Sequence, residues 1–134
     1  MDFETDKNGK LTQYNGTEIN VTIPQEIEGI QITAIGSRAF ASKGLTSVVL
    51  PEGVIKIGTW AFWGNCLTEI IIPARVTDIG IYAFLQNQIS KLVIFGKVKI
   101  TDLSFDNGFD VFYRNNKKKA GTYLFDGTNW EYKK

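Results

Sequence analysis

The side chains of this chain that can do chemistry are few and scattered. One thiol, Cys66, stands in "WGNCLTE", three aspartates (Asp102, Asp106, Asp110) follow at intervals of four, and Lys117 to Lys119 form a basic run. Asp6 and Asp126 sit beside Asn and Gly. A thiol becomes a nucleophile where a base or cation lowers its pKa. Nothing near Cys66 in the sequence does so, and its place beside an inward-pointing Leu predicts a buried, inert side chain. Paired carboxylates can share a proton or bind calcium, but none of these acids completes a calcium-loop pattern, and acids next to Asn and Gly are what tight turns use. The lysine run reads as a solvated loop and not as a phosphate site. The chain has no histidine. That count removes Ser/His/Asp and Cys/His machinery and, with one cysteine, any zinc constellation. No GxxxxGK[ST] loop occurs either. The expectation is a chain that is not an enzyme and holds no cofactor or metal.

Charge and composition narrow the partners. Fifteen basic and 14 acidic residues leave a net charge of +1, so no global field draws nucleic acid or an anionic membrane. A length of 134 residues with 43% hydrophobic content suits a single domain with its own core. One cysteine allows no internal disulfide. No apolar run reaches the roughly 18 residues of a membrane span, and the opening "MDFETDKNGK" lacks the order of a signal peptide. A soluble chain is expected, whose Met can also head an excised mature domain.

The organising signal is internal repetition. Gly36, Gly58 and Gly80 are spaced by 22, as are Ile35, Ile57 and Ile79, Ala39, Ala61 and Ala83, and Phe40, Phe62 and Phe84. The register continues through Leu45, Leu67 and Ile89 to Leu50, Ile72 and Ile94, with Pro51 and Pro73 closing two copies. In "LTSVVLP" the final period of two puts Val48 and Leu50 on one face of a short strand and Ser47 and Val49 on the other. The Pro, lacking an N–H, stops the strand. In "IGSRAF" the Gly is expected to permit a tight turn, and Ala and Phe to begin a single helical or 3₁₀ turn whose Phe fills the coil. One coil cannot bury its own faces, but copies stacked at about 4.8 Å bury Phe on Phe and Ile on Ile.

The pattern I-x-x-I-G-x-x-A-F-x-x-x-x-L-x-x-[VIL]-x-[LI]-P resembles the BspA-type (Treponema pallidum-type) leucine-rich repeat proteins, found largely on microbial surfaces. The likeness is close over about residues 19 to 100, including "NVTIPQEIEGIQIT", and the tail "FYRNNKKKAGTYLFDGTNW" is similar to segments that close such arrays. It implies an α/β repeat fold, a short leucine-rich-repeat solenoid of right-handed coils with a parallel strand ladder and about three repeats of 22 residues. It also implies a cell-surface or secreted setting and adhesion to host or neighbouring-cell proteins. The third copy departs from the pattern with Phe95-Gly96 in place of Pro, which places the end of the array there.

End coils need covering. One domain, 1–134, is read as an N-terminal β cap (1–30), repeats (31–100) and a C-terminal cap (101–134). "DKNG" and Asn15-Gly16 mark turns in the first cap. In the second, Phe109, Phe112 and Tyr113 at i, i+3, i+4 predict a short helix, and "GTYLF", "DGTN" and "WEYKK" a hairpin whose Tyr123 and Phe125 share a face with Trp130 and Tyr132.

Columns that differ between copies are surface, and two are candidate contacts. On the strand face Ser47, Glu69 and Lys91 form a polar column in which Glu69 can pair with Lys91, and Val49, Ile71 and Val93 form an outward apolar one. The apolar column has a plainer explanation in β-propensity or a covering cap. On the turn side Arg38, Trp60 and Tyr82 occupy one column, with Trp63 in another, and such aromatics suit a protein hot spot, a glycan or self-association. Rings lying flat against the stack would serve none of these. The reading is a non-catalytic protein-binding or adhesion module, its alternative a spacer or stalk segment without a ligand.

Overall fold

A computed structural model describes residues 2–134. Short apolar alternations make short strands, and each coil contributes two. In chain order these are β1 (Phe3–Thr5), β2 (Lys10–Tyr14), β3 (Asn20–Thr22), β4 (Glu26–Ile27), β5 (Ile30–Gln31), β6 (Ala34–Ile35), β7 (Ser47–Val49), β8 (Lys56–Ile57), β9 (Glu69–Ile72), β10 (Asp78–Ile79), β11 (Lys91–Ile94) and β12 (Lys99–Ile100). They are followed by α1 (Phe109–Asn115), β13 (Gly121–Phe125) and β14 (Trp130–Lys133). The result is a leucine-rich-repeat solenoid of about four turns.

Its first ladder runs β2-β6-β8-β10-β12, all parallel, with Leu11, Ile35, Ile57, Ile79 and Ile100 in register and β1 antiparallel along β2. The second consists of β3-β7 and, separately, β9-β11-β13-β14. Asn20–Thr22 pairs with Ser47–Val49, so Pro24 stands where Pro51 and Pro73 do. The coil that follows Pro24 carries the extra hairpin β4–β5, whose turn residues Glu28 and Gly29 have φ of 50° and 82°, the primed turn that hairpins favour.

Inside, the repeated Phe forms a column. Tyr14, Phe40, Phe62, Phe84 and Phe105 have successive ring centroids 5.2, 5.0, 5.1 and 5.0 Å apart and nearly parallel planes, all close to the spacing of the strands. Phe3 meets the column at one end and Phe109 at the other.

The column corrects the expected end of the array. After Phe95-Gly96 the chain makes another coil, in which Val98, Ile100 and Phe105 are buried like Val76, Ile79 and Phe84. From Ile79 to Ile100 is 21 residues and Thr101 and Ser104 stand for Gly and Ala, so the copy slips out of the 22-residue comparison. Ser104 Oγ is still satisfied by the carbonyl of Gly80 at 2.8 Å.

The repeated glycines open the tight turn expected of them. Gly36, Gly58 and Gly80 do not adopt positive φ. A Cβ on Gly58 would lie 2.8 Å from Ser37 N, and one on Gly80 2.8 Å from Thr59 N, so glycine is needed because the backbones of successive coils approach there. The left-handed residue of the turn is two further on: Arg38, Trp60, Tyr82 and Leu103 have φ of 60°, 63°, 60° and 62°. Ala39, Ala61 and Ala83 donate to the carbonyls of Gly36, Gly58 and Gly80 at 3.2, 3.3 and 3.2 Å. The coil thus turns first as a type II turn does, and Ala41, Trp63 and Leu85 then donate to the carbonyls of Arg38, Trp60 and Tyr82 at 3.2, 3.2 and 3.3 Å, which closes the single i→i+3 turn expected over Ala and Phe. Among the described residues α1 is the only α-helix.

Cys66 is exposed, against the expectation of burial. The buried neighbour is Asn65, 3% exposed, whose Oδ1 accepts from the N–H of Lys43 (2.9 Å) and Leu45 (3.0 Å) and whose Nδ2 donates to the carbonyls of Phe40 and Phe62. Asn87 repeats this with Leu67 N, Phe62 O and Phe84 O. Asp106 closes the series on the N–H groups of Gln86 and Asn87. These side chains satisfy backbone groups that turn inward and have no ladder partner.

The last coil is covered by α1, whose Phe109 and Tyr113 are fully buried, and by the hairpin β13–β14 in the expected register, Tyr123 opposite Tyr132 and Phe125 opposite Trp130. Tyr113 Oη accepts from Val98 N (3.0 Å), and Tyr123 Oη donates to Lys119 O (2.6 Å). Burial raises the pKa of both phenols above the ordinary value.

Two outcomes follow. Asn65→Ala leaves three backbone groups, Lys43 N, Leu45 N and Phe40 O, without partners and should cost at least about 2 kcal/mol in urea unfolding, whereas Cys66→Ala should stay within about 0.5 kcal/mol. Equal effects would show that the asparagine column does not support the coils. The raised phenol pKa values mean that the folded chain holds these protons more tightly than the unfolded chain does, so stability is complete below about pH 10 and is lost as pH rises above it. The melting temperature should therefore fall above that pH, less steeply in Tyr123→Phe; an unchanged slope in that variant would contradict the assignment.

Candidate functional site

The turn-side residues come together as the repeat register dictates. Arg38 N donates to Thr59 O, Trp60 N to Ile81 O and Tyr82 N to Leu103 O, at 3.1, 3.1 and 3.2 Å, which lays the four left-handed residues one above another. The Arg38 guanidinium carbon lies 5.2 Å from the Trp60 ring centroid. Trp60 meets Trp63 at 5.1 Å and Tyr82 edge-on at 4.9 Å. The three aromatics are half-buried and Arg38 is exposed. Leu103, 51% exposed, continues the strip, and the comparison of copies missed it because the fourth coil is one residue short.

This arrangement bears on which surface Trp60 presents. A sugar stacks on an open ring face, and in Trp60 one face carries Arg38 while Tyr82 and Trp63 crowd the rest at angles of 69° and 54°. What the strip presents is a rugged aromatic ridge with a cation at one end and an aliphatic side chain at the other, the composition of protein hot spots.

On the second ladder Val49 and Ile71 are 57% and 55% exposed, whereas Val93 is half-buried beside β13, its register partner being Thr122. A covering cap therefore accounts for Val93 and not for the other two. Glu69 and Lys91 are register partners, yet among the described residues no ion pair joins them within 4.0 Å. Both charges remain available to something else.

The aspartates that could do chemistry are engaged by the fold, whereas the Cys66 thiol is exposed. Asp6 accepts from Asn8 N and Lys10 N, and Asp126 from Thr128 N and Asn129 N, and these backbone N–H groups lower both carboxyl pKa values. Asp102 and Asp110 flank Arg114 at 3.2 and 3.6 Å. Among the described residues no three His, Cys, Asp or Glu side chains are grouped to hold a metal ion, and no helix is long and apolar enough to cross a membrane. Lys117 and Lys118 lie in the turn after α1 with φ of 61° and 55°.

Similarity to known proteins agrees with this architecture. A leucine rich cell surface protein from Faecalibacterium prausnitzii A2-165 is similar in structure, with a TM-score of 0.54 and 25% identity over 73% of this chain and 30% of its own. A leucine rich repeat protein of T. pallidum shares the fold, with a TM-score of 0.50 and 19% identity over 75% of this chain and 57% of its own. The chain thus spans less than two thirds of either. No curated protein matches it. The BspA type leucine rich repeat region matches residues 33–132 in six copies. With that match over most of its length, on coils whose buried Ile, Ala and Phe columns carry the pattern, the chain belongs to the BspA-type leucine-rich repeat family.

Proposed function

We propose that this chain is a non-catalytic protein-binding module of a microbial cell-surface or secreted protein, a single unit of repeats between two caps, and that its contact surface is the strip Arg38, Trp60, Tyr82 and Trp63. The observation that carries this reading is the left-handed backbone under Trp60 and Tyr82. Glycine or asparagine suits that conformation, whereas a bulky residue there costs on the order of 1 kcal/mol. The turn does not require aromatics at that position, since Arg38 and Leu103 hold the same backbone conformation there. Residues that strain the backbone and face outward fit a role in recognition. The leucine-rich-repeat framework and the cell-surface description of the F. prausnitzii neighbour support an extracellular protein partner. A spacer role is the second reading, favoured by the fact that the chain spans 30% and 57% of two neighbours' lengths.

Trp60→Asn combined with Tyr82→Asn separates the two, because asparagine tolerates the left-handed region. Stability should stay within about 1 kcal/mol of wild type. Saturable binding by the wild-type chain to at least one member of a panel of immobilised extracellular proteins, lost in the double variant, is the expected result. No saturable binding across the panel would support the spacer, and binding retained by the variant would remove the aromatic strip.

A further inference from the structure

The second ladder is open at one place. β7 and β9 are consecutive coils, yet no ladder hydrogen bond joins them, although β9 and β11 pair along their full length. The coils are tied on both sides of the opening, by Cys66 N to Leu45 O and by Thr77 N to Ile55 O, each 2.8 Å. Between these ties lies a cleft of about 240 Å³ in the strand wall, mostly apolar, lined by Val49, Leu50, Ile70 and Ile71 with Glu52 and Glu69 beside them. Its volume suits one large apolar side chain, and its main-chain groups are free to meet a polar backbone. Arg75, on the coil between, is not among the lining residues.

The same face carries a side chain of the matching kind. Phe95 follows β11 directly, at the position held by Pro24, Pro51 and Pro73 in the other coils, and is 59% exposed, the most exposed of the large hydrophobics. The array does not end there, so the loss of Pro needs another explanation. Lys91 and Lys97 flank Phe95, both exposed. Among the described residues none of Lys91, Lys97, Glu52 and Glu69 belongs to an ion pair. At about 4.8 Å per coil, Phe95 sits roughly 7–10 Å from the cleft along the stack, with the acidic pair at one end of the face and the basic pair at the other.

We propose that the chain binds a second copy of itself through this face, the Phe95 ring of each copy entering the cleft between β7 and β9 of the other. A two-fold axis across the face brings Lys91 and Lys97 of each copy onto Glu52 and Glu69 of its mate, the self-complementarity that an isologous contact requires. The strip on the turn side stays outside the contact, so this inference stands or falls separately from the binding function above.

Sedimentation equilibrium of the purified chain tests it. The face is small, so a weak dimer is expected, with half-association somewhere between about 10 µM and 1 mM. Phe95→Ala should weaken association about tenfold or more with an unchanged melting curve, because the ring is exposed. The pair Glu52→Lys/Glu69→Lys and the pair Lys91→Glu/Lys97→Glu should each be monomeric alone and form a dimer when mixed. A wild-type chain that stays monomeric to about 1 mM, a dimer indifferent to Phe95→Ala, or swapped chains that fail to associate on mixing would each overturn the proposal.

Discussion

Everything in this molecule depends on placing each coil one strand spacing from the next. Ring centroids at 5.0 to 5.2 Å in the aromatic column and hydrogen-bonded ladders can share a register only because both repeats have nearly the same length. The glycine column is the tightest expression of that constraint. At Gly58 the neighbouring backbone lies within 3 Å of where a Cβ would be, so any side chain there would push the coils apart and break aromatic and hydrogen-bond contacts together. Stability in such a stack is close to a sum of nearest-neighbour terms, and the exposed ends therefore need the N-terminal hairpin at one side and α1 with β13–β14 at the other.

How much of this could be read from the sequence follows from which columns repeat faithfully. Ile, Gly, Ala and Phe recur at 22 residues, and the solenoid and its strand faces were legible from them. The fourth coil was hidden by a single deletion and by Thr101 and Ser104 in the places of Gly and Ala, where the Ser104 hydroxyl is buried and finds its partner in the carbonyl of Gly80. The asparagine column was hidden for a different reason. Lys43 stands in the first copy where Asn65 and Asn87 stand in the next two, since one asparagine reaches back to serve two coils and the first copy needs none of its own. A column with Lys in one copy of three reads as variable.

The glycine column is a related case. Glycine in "IG" opens the tight turn that the sequence suggests, but what requires its missing side chain is the neighbouring coil, and the unusual angle falls on Arg38, Trp60 and Tyr82. No propensity would assign a left-handed conformation to tryptophan. That conformation is imposed by two local bonds, from the following alanine to the glycine carbonyl and from the residue's own N–H to the next coil. Local preference is overruled by the stack.

This overruling is what frees the outer columns. Because the main chain of each turn is held by its own bonds, the side chain there is released from any part in folding and can be Arg, Trp, Tyr or Leu in successive coils. Asp6, Asp102, Asp106, Asp110 and Asp126, the asparagines of the inner column and the buried tyrosines have no such freedom, each being engaged with a backbone group or a neighbouring charge, whereas Glu52, Glu69, Lys91 and Lys97 belong to no ion pair among the described residues. A contact through the aromatic ridge would draw chiefly on burial of apolar area. A ridge formed by neighbours that already touch, Arg38 on Trp60 and Trp60 on Tyr82, loses little side-chain entropy when a partner covers it. Preorganisation of that kind is how a face of few residues reaches useful affinity.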